Sequence, residues 1–262
     1  MGQSGWPAVG AAELEAHVER NREERHVAAL LFALMVGSRS GLTRLMEQCG
    51  VEDAGRKSEN ARLFYEYTFL RDWWHGLDND SKHSGICDLL GRLAEDDDER
   101  EAVSWLGGQA APEPFNRLFS TRPSKTSIES PARWSTSLIE GLGSESLRRP
   151  ALLLAWMFRI KPDIVVLLPD GEVVSFEAKL DSDEDVYRSH VVGADSIRQI
   201  DLQKRMFKLL LGVTGLHSVL LCRPSGTVSA RPRIDWPSAF DCFSADERAL
   251  VEPHARADVL ST

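Results

Sequence analysis

The sequence predicts an α/β chain of the α+β kind, in which a mixed central sheet is flanked by helices and preceded by a helical N-terminal region. Three observations carry this prediction. Arg159 to Lys179 reads as two β-strands around a tight turn. Ser218 to Cys222 is a further short apolar strand that shares the hairpin's sheet. Before Gly107, apolar residues recur at helical rather than alternating spacing.

Taken in order, residues 1–12 are small and Gly-rich and form a frayed end. A helix starts near Glu13, and its Val27, Leu30, Leu31, Leu34 and Met35 fall on one face. Leu42 to Cys49 and Ala61 to Leu77 read as further helices around a polar stretch, Glu52 to Asn60. Phe64, Tyr65, Tyr67, Phe69, Trp73 and Trp74 have the spacing of core aromatics rather than a base-stacking platform. Glu95 to Glu101 is an acidic run that suits a solvated helix start.

Gly107 to Pro114, with its glycines and prolines, marks a boundary, giving a helical region 1–111 and a second domain 112–262. Beyond it, 115–150 is loop-rich with a short helix from Arg133 to Leu142. Gly141-Leu-Gly-Ser-Glu-Ser lacks the lysine and preceding strand of a phosphate loop. Ala151 to Phe158 is apolar throughout and fits a strand or a buried helix equally.

In the hairpin, Ile164 to Leu168 is β-branched and apolar, and Glu172 to Lys179 alternates. Pro169-Asp170-Gly171 supplies a preset φ, a side-chain acceptor and a left-handed position, the ingredients of a three-residue loop. With Leu168 opposite Glu172, the register places Asp163 opposite Glu177. Alternation then puts Lys179 on the same face as Glu177. Two carboxylates facing each other destabilise a sheet unless something cationic lies between them, and a divalent cation does this. After Lys179 comes an acidic loop, Asp181 to Asp185, then a helix from about Asp195 to Leu211. The tail from Trp236 reads as loop with a short helix near Ala245 to Val251.

The chain has 262 residues, a net charge of −9 and four cysteines without CxxC spacing, which suits reduced thiols in a cytoplasmic protein. No run is long enough for a membrane span, and the N-terminus lacks a signal peptide's basic and apolar regions. Charge is uneven. From Pro112 to Arg233 there are 17 Lys and Arg against 14 Asp and Glu, while the remainder has 14 against 26. The acidic helical N-terminal region is a candidate surface for a protein partner or a second copy of the chain. His75, His83 and Cys87 lack the paired spacing that completes a tetrahedral zinc set.

Pro162-Asp163, a gap of 13 residues and Glu177-Ala178-Lys179 resemble the PD-(D/E)xK motif of the restriction-endonuclease-like nuclease superfamily. The resemblance implies the fold of that superfamily and Mg²⁺, or Mn²⁺, held by Asp163, Glu177 and the backbone carbonyl of Ala178. It implies Lys179 as the residue that positions or activates water. Many such nucleases place a further glutamate on a helix near the metal, and Glu23, Glu24 and Glu140 are the candidates. One branch carries Gln-x-x-x-Tyr on the helix after the lysine; Gln199 matches the glutamine, and Gln203 stands where the tyrosine would be. Exposure to solvent is the alternative reading of both glutamines.

The expected function is therefore metal-dependent hydrolysis of phosphodiester bonds in nucleic acid, DNA rather than RNA, in restriction, antiviral defence or repair. Arg223, Arg231 and Arg233 are candidates for phosphate contacts. The alternative is a binding or assembly subunit that keeps the fold without cleaving. An acyl or glycosyl hydrolase lacks a Gly-x-Ser-x-Gly motif or a second acid pair.

Overall fold

A computed structural model describes residues 11–124, 126–180, 186–192, 196–223 and 232–254. The chain begins with helices α1 (Ala11–Gly37), α2 (Arg39–Gln48) and α3 (Ala54–Ser58) and strand β1 (Arg62–Tyr65). Helices α4 (Phe69–His75), α5 (Asn79–Leu93), α6 (Asp97–Gly107), α7 (Glu113–Phe119), α8 (Thr136–Glu140) and α9 (Glu145–Arg159) follow. The hairpin is β2 (Ile164–Leu167) and β3 (Val173–Ala178). Then come β4 (Val186–Tyr187), β5 (Ile197–Arg198), α10 (Gln199–Arg205) and β6 (Leu216–Cys222), and finally β7 (Arg233–Asp235), α11 (Trp236–Asp241) and α12 (Ala245–Arg248).

These elements form two compact units. The first gathers described residues from Met1–Tyr65, Asp163–Asp183 and His217–Thr262; the second takes Glu66–Pro162 and Glu184–Leu216. The boundary expected at 111/112 falls inside the second unit's long run. Gly107 to Pro114 is a turn between α6 and α7 rather than a linker.

The first unit is built on a five-stranded mixed sheet in the order β1-β2-β3-β6-β7. β1 and β3 flank β2 antiparallel, and β7 runs parallel to β6. The hairpin register is Ile164↔Phe176, Val165↔Ser175, Val166↔Val174 and Leu167↔Val173, as expected. Even-numbered side chains, Ile164, Val166, Val174, Phe176, Ala178 and Leu180, join one core with Val27, Ala28 and Leu31 of α1 and Leu42, Leu45 and Met46 of α2. Trp236 and Phe240 of α11 close that core. Glu177 and Lys179 therefore belong to the opposite face.

β1 corrects the expectation of helix across Ala61 to Leu77. Arg62-Leu-Phe-Tyr pairs along the free edge of β2, with Tyr65 opposite Ile164, and helix begins only at Phe69. An open strand edge with unpaired amides outweighs the weak local preference of four residues. Trp236 likewise opens helix α11 instead of lying in a loop, with Asp235 accepting from the Ser238 amide at its N-terminus.

In the second unit the undecided segment Ala151 to Phe158 is helix α9. Every residue from Leu152 to Phe158 is buried, which is why no amphipathic stripe marks it. Phe119 stacks on Trp134 with centroids 4.0 Å apart, and Phe115 tilts against both. Arg149 of α9 reaches the start of α6, donating to both oxygens of buried Glu99 at 2.6 and 2.5 Å and to the Leu93 carbonyl at 2.9 Å. The bonds to Glu99 push the Arg149 guanidinium above its ordinary value. The helix expected from Asp195 begins at Gln199 after the short ribbon β4-β5, and passes into a π-helical turn over Met206–Leu210. Among the described residues no single helix is long and apolar enough to cross a membrane. All four cysteines are free thiols; burial pushes Cys49 up, and Cys242 up to about 11.

Candidate functional site

At the turn, Gly171 has φ +87°, a left-handed position that glycine takes without steric cost. Leu168 N–H donates to the Glu172 carbonyl at 2.9 Å and Gly171 N–H to the Leu168 carbonyl at 3.0 Å, so Pro169-Asp170-Gly171 is the loop. Lys57 of α3, 9% exposed at its side chain, sits 2.8 Å from both Asp170 Oδ2 and Glu172 Oε2. Its hydrogen bond to Asp170 raises the Lys57 ammonium above its ordinary value and depresses the Asp170 carboxyl.

At the open end, the ladder stops at Ile164–Phe176. The Pro162 carbonyl accepts from the Tyr67 amide at 2.9 Å. The Ala178 amide donates instead to Asp163 Oδ2, at 2.8 Å. Asp163 thus reaches across to the end of β3 with its side chain, one residue beyond the last ladder pair. Glu177 is 3% exposed, and its Oε1 lies 3.3 Å from Lys179 Nζ. Asp163 is only partly buried, the most open of the three.

Two backbone contacts hold the residues after Glu177. Lys179 N–H donates to the Leu221 carbonyl at 2.8 Å, and the Lys179 carbonyl accepts from Trp236 Nε1 at 3.0 Å. Helix α1 brings Glu24, 8% exposed, to the same strand end, where its Oε1 accepts from Leu180 N–H at 3.1 Å. Tyr65 Oη donates to the Arg25 carbonyl at 2.7 Å and ties α1 to β1 beside it. Glu24 is therefore bonded at the end of this strand. Glu23 is half-buried on the same helix. Glu140 ends α8 in the second unit, where it accepts from Ser189 Oγ at 2.5 Å.

Gln199 and Gln203 lie on α10 of the second unit and are buried, 7% and 1% exposed, which rules out the solvent-exposed reading. Gln199 Oε1 is a buried acceptor without a hydrogen-bond partner. Of the expected arginines, Arg223 follows β6, Arg233 opens β7, and Arg231 lies outside the described residues, as does the acidic loop Asp181 to Asp185. The roles of Trp236 and Tyr65 were not readable beforehand. Their partners are distant in sequence, and an aromatic N–H or O–H announces only that it needs an acceptor.

Carboxylates are donors that a hard divalent cation accepts, and three of them stand at this end of the hairpin: Asp163 on the Ala178 amide, Glu177 beside Lys179, and Glu24 on the Leu180 amide. They do not form a closed cage; among the described residues no group of three or more His, Cys, Asp and Glu stands together to hold a metal ion. Comparison of the chain with protein families, with curated proteins and with solved structures finds no match.

Proposed function

We propose that this protein is a metal-dependent nuclease of the restriction-endonuclease-like kind, hydrolysing phosphodiester bonds in DNA in preference to RNA. The observation that carries the reading is the end of the hairpin. The ladder ends at Ile164–Phe176, one further step of that register would bring Asp163 opposite Glu177, and Lys179 shares a face and an ion pair with Glu177. Asp163 and Glu177 would hold Mg²⁺ or Mn²⁺, with the Ala178 carbonyl as a further ligand. When bound, such an ion supplies Lewis-acid polarisation of a phosphate oxygen and a more acidic water. Lys179 offers an ammonium to charge developing on the phosphate or on that water. Glu24 orients the strand end through Leu180. A cytoplasmic setting and a role in restriction, defence or repair go with this reading.

A second reading, a non-cleaving binding or assembly subunit, is favoured by one specific observation. Glu177 and Lys179 are 3% and 9% exposed, as a purely structural ion pair would be. Cleavage separates the two. Linear, circular and single-stranded DNA, and RNA, are incubated with Mg²⁺, Mn²⁺ or EDTA and wild-type protein, Asp163→Asn or Glu177→Gln. Asparagine keeps an acceptor for the Ala178 amide, so the first variant retains its circular dichroism spectrum. We expect metal-dependent cutting that falls by roughly 100-fold or more in both variants. Undiminished cutting by folded variants rejects the assigned roles, and no cutting by wild type under any condition selects the second reading.

A further inference from the structure

We propose that a cavity in the second unit is a binding site for a phosphate-bearing small molecule of nucleotide size. The cavity has a volume of about 400 Å³ and is walled by α4, the start of α5, Ser124 and residues from Ser127 to Arg133. That volume lies within the range of small-molecule sites, roughly 300–1,000 Å³. Among the described residues three cations line it, Arg71 from α4, Lys82 from α5 and Arg133, against one carboxylate, Glu129. His75 stands at the same wall.

None of the three cations has a carboxylate within ion-pair distance among the described residues. Other cations of the second unit do have carboxylate partners: Arg149 has Glu95 and Glu99, Arg117 has Glu113, and Lys161 has Glu66. Lys82 Nζ lies 5.4 Å above the ring of buried Trp74, a contact that holds the ammonium in place without neutralising it. The one carboxylate is already engaged, since Glu129 Oε2 accepts from Ser120 Oγ at 2.5 Å. Asp78, which caps α5, acts on Lys82 through space without reaching ion-pair distance, and among the described residues the lining itself keeps three cations against one carboxylate.

The wall facing those cations is held rigidly by two asparagines. Fully buried Asn116 donates through Nδ2 to the Ser124 and Ser127 carbonyls at 2.7 and 2.8 Å and accepts from Glu129 N–H at 2.9 Å. Asn79 donates to the Thr126 carbonyl at 2.7 Å and accepts from Ile128 N–H at 3.3 Å. Ser124, Ser127 and Ser130 add hydroxyls to the lining. A loop carried on buried amides with hydroxyls and guanidinium groups around one concavity is preorganised for phosphate oxygens. A nucleic-acid strand would need cations strung along a groove, whereas these converge on a single hollow.

Calorimetric titration of the full chain at low salt tests the site, with inorganic pyrophosphate, AMP, ATP and a short single-stranded oligodeoxynucleotide as probes. We expect saturable one-to-one binding of pyrophosphate or a mononucleotide. Arg71→Gln and Lys82→Gln each weaken it about tenfold, as loss of a charge-assisted hydrogen bond does. Glu129→Gln, which retains an acceptor for Ser120, tightens it. A purely structural role for these residues would not give opposite signs. Failure of pyrophosphate and both nucleotides to bind, or equal affinity in all three folded variants, overturns the proposal. Binding of the oligonucleotide alone overturns it in favour of a strand-binding surface. Because the reading involves none of Asp163, Glu177 or Lys179, its failure and that of the nuclease proposal are independent.

Discussion

Gly41, in the first turn of α2, shows how little room the first unit's core leaves. A Cβ at that position would collide with the Phe243 ring and crowd Ser38 Oγ, which caps the helix by accepting from Gly41 N–H at 2.9 Å. Gly41→Ala is expected to destabilise the protein by about 1–3 kcal/mol, the usual range for overpacking. Gly55 in α3 meets only Thr43 Cγ2 at 3.9 Å, so Gly55→Ala is expected to stabilise by about 0.5–1 kcal/mol through the unfolded chain. Urea midpoints of the two variants moving in the same direction would contradict the packing described here. Neither sign is visible in the sequence, where both are glycines near helix starts. By contrast the pairing of Ile164 to Leu167 with Val173 to Phe176 was legible, because a period of two leaves no freedom once the loop is known. Glu24 could be shortlisted but not chosen over Glu23. Only the packing of Val27, Ala28 and Leu31 on the sheet decides which glutamate turns toward Leu180.

The hairpin is anchored at both ends, and its turn end titrates. Lys57 binds Asp170 and Glu172 together, with the Asp170 carboxyl depressed and the Lys57 ammonium raised. A depressed carboxyl contributes stability above its ordinary value, about 4, and loses it as pH falls through the lower folded value. A raised ammonium contributes below its ordinary value, about 10.4, and loses it as pH rises through the folded value. The contribution is therefore level through neutrality. Urea unfolding of Lys57→Met against wild type should show a gap that is constant between about pH 5 and 9 and narrows below about pH 4. A gap that widens in acid would mean that the ammonium is not paired with Asp170. This staple joins α3 to a loop more than a hundred residues away, and no local pattern predicts it. β1 escaped prediction for the same reason. Four residues carry too little periodicity to outweigh their aromatic neighbours, and the edge of β2 that claims them is distant in sequence. The hairpin itself was readable because its strands and its turn signals are contiguous.

The two units interleave along the chain, and this changes what a truncation would do. Cutting at 111/112 removes α1, α2, α3 and β1 from the first unit's sheet and core, and separates α4, α5 and α6 from α9 in the second. Fragment 112–262 would also leave Arg149 without Glu95 and Glu99. We expect neither 1–111 nor 112–262 to show a cooperative thermal transition by circular dichroism, whereas the intact chain does. A cooperative melt from 112–262 alone would restore the boundary that the glycines and prolines of 107–114 suggested. Composition does mark breaks between helices, but it does not say whether the chain returns across them.

That interleaving also sets an order in time. On the ribosome α1, α2 and β1 emerge first, yet β2 and β3, which cover Leu31, Leu45 and Met46, come only after the intervening run from Glu66 to Pro162 has been made. At synthesis rates of roughly 5–20 residues per second, those apolar faces wait on the order of 5–20 s for the strands that bury them. The second unit's run from Glu66 to Pro162 is meanwhile already out, so the nascent chain carries those helices while the first unit's apolar faces stay exposed.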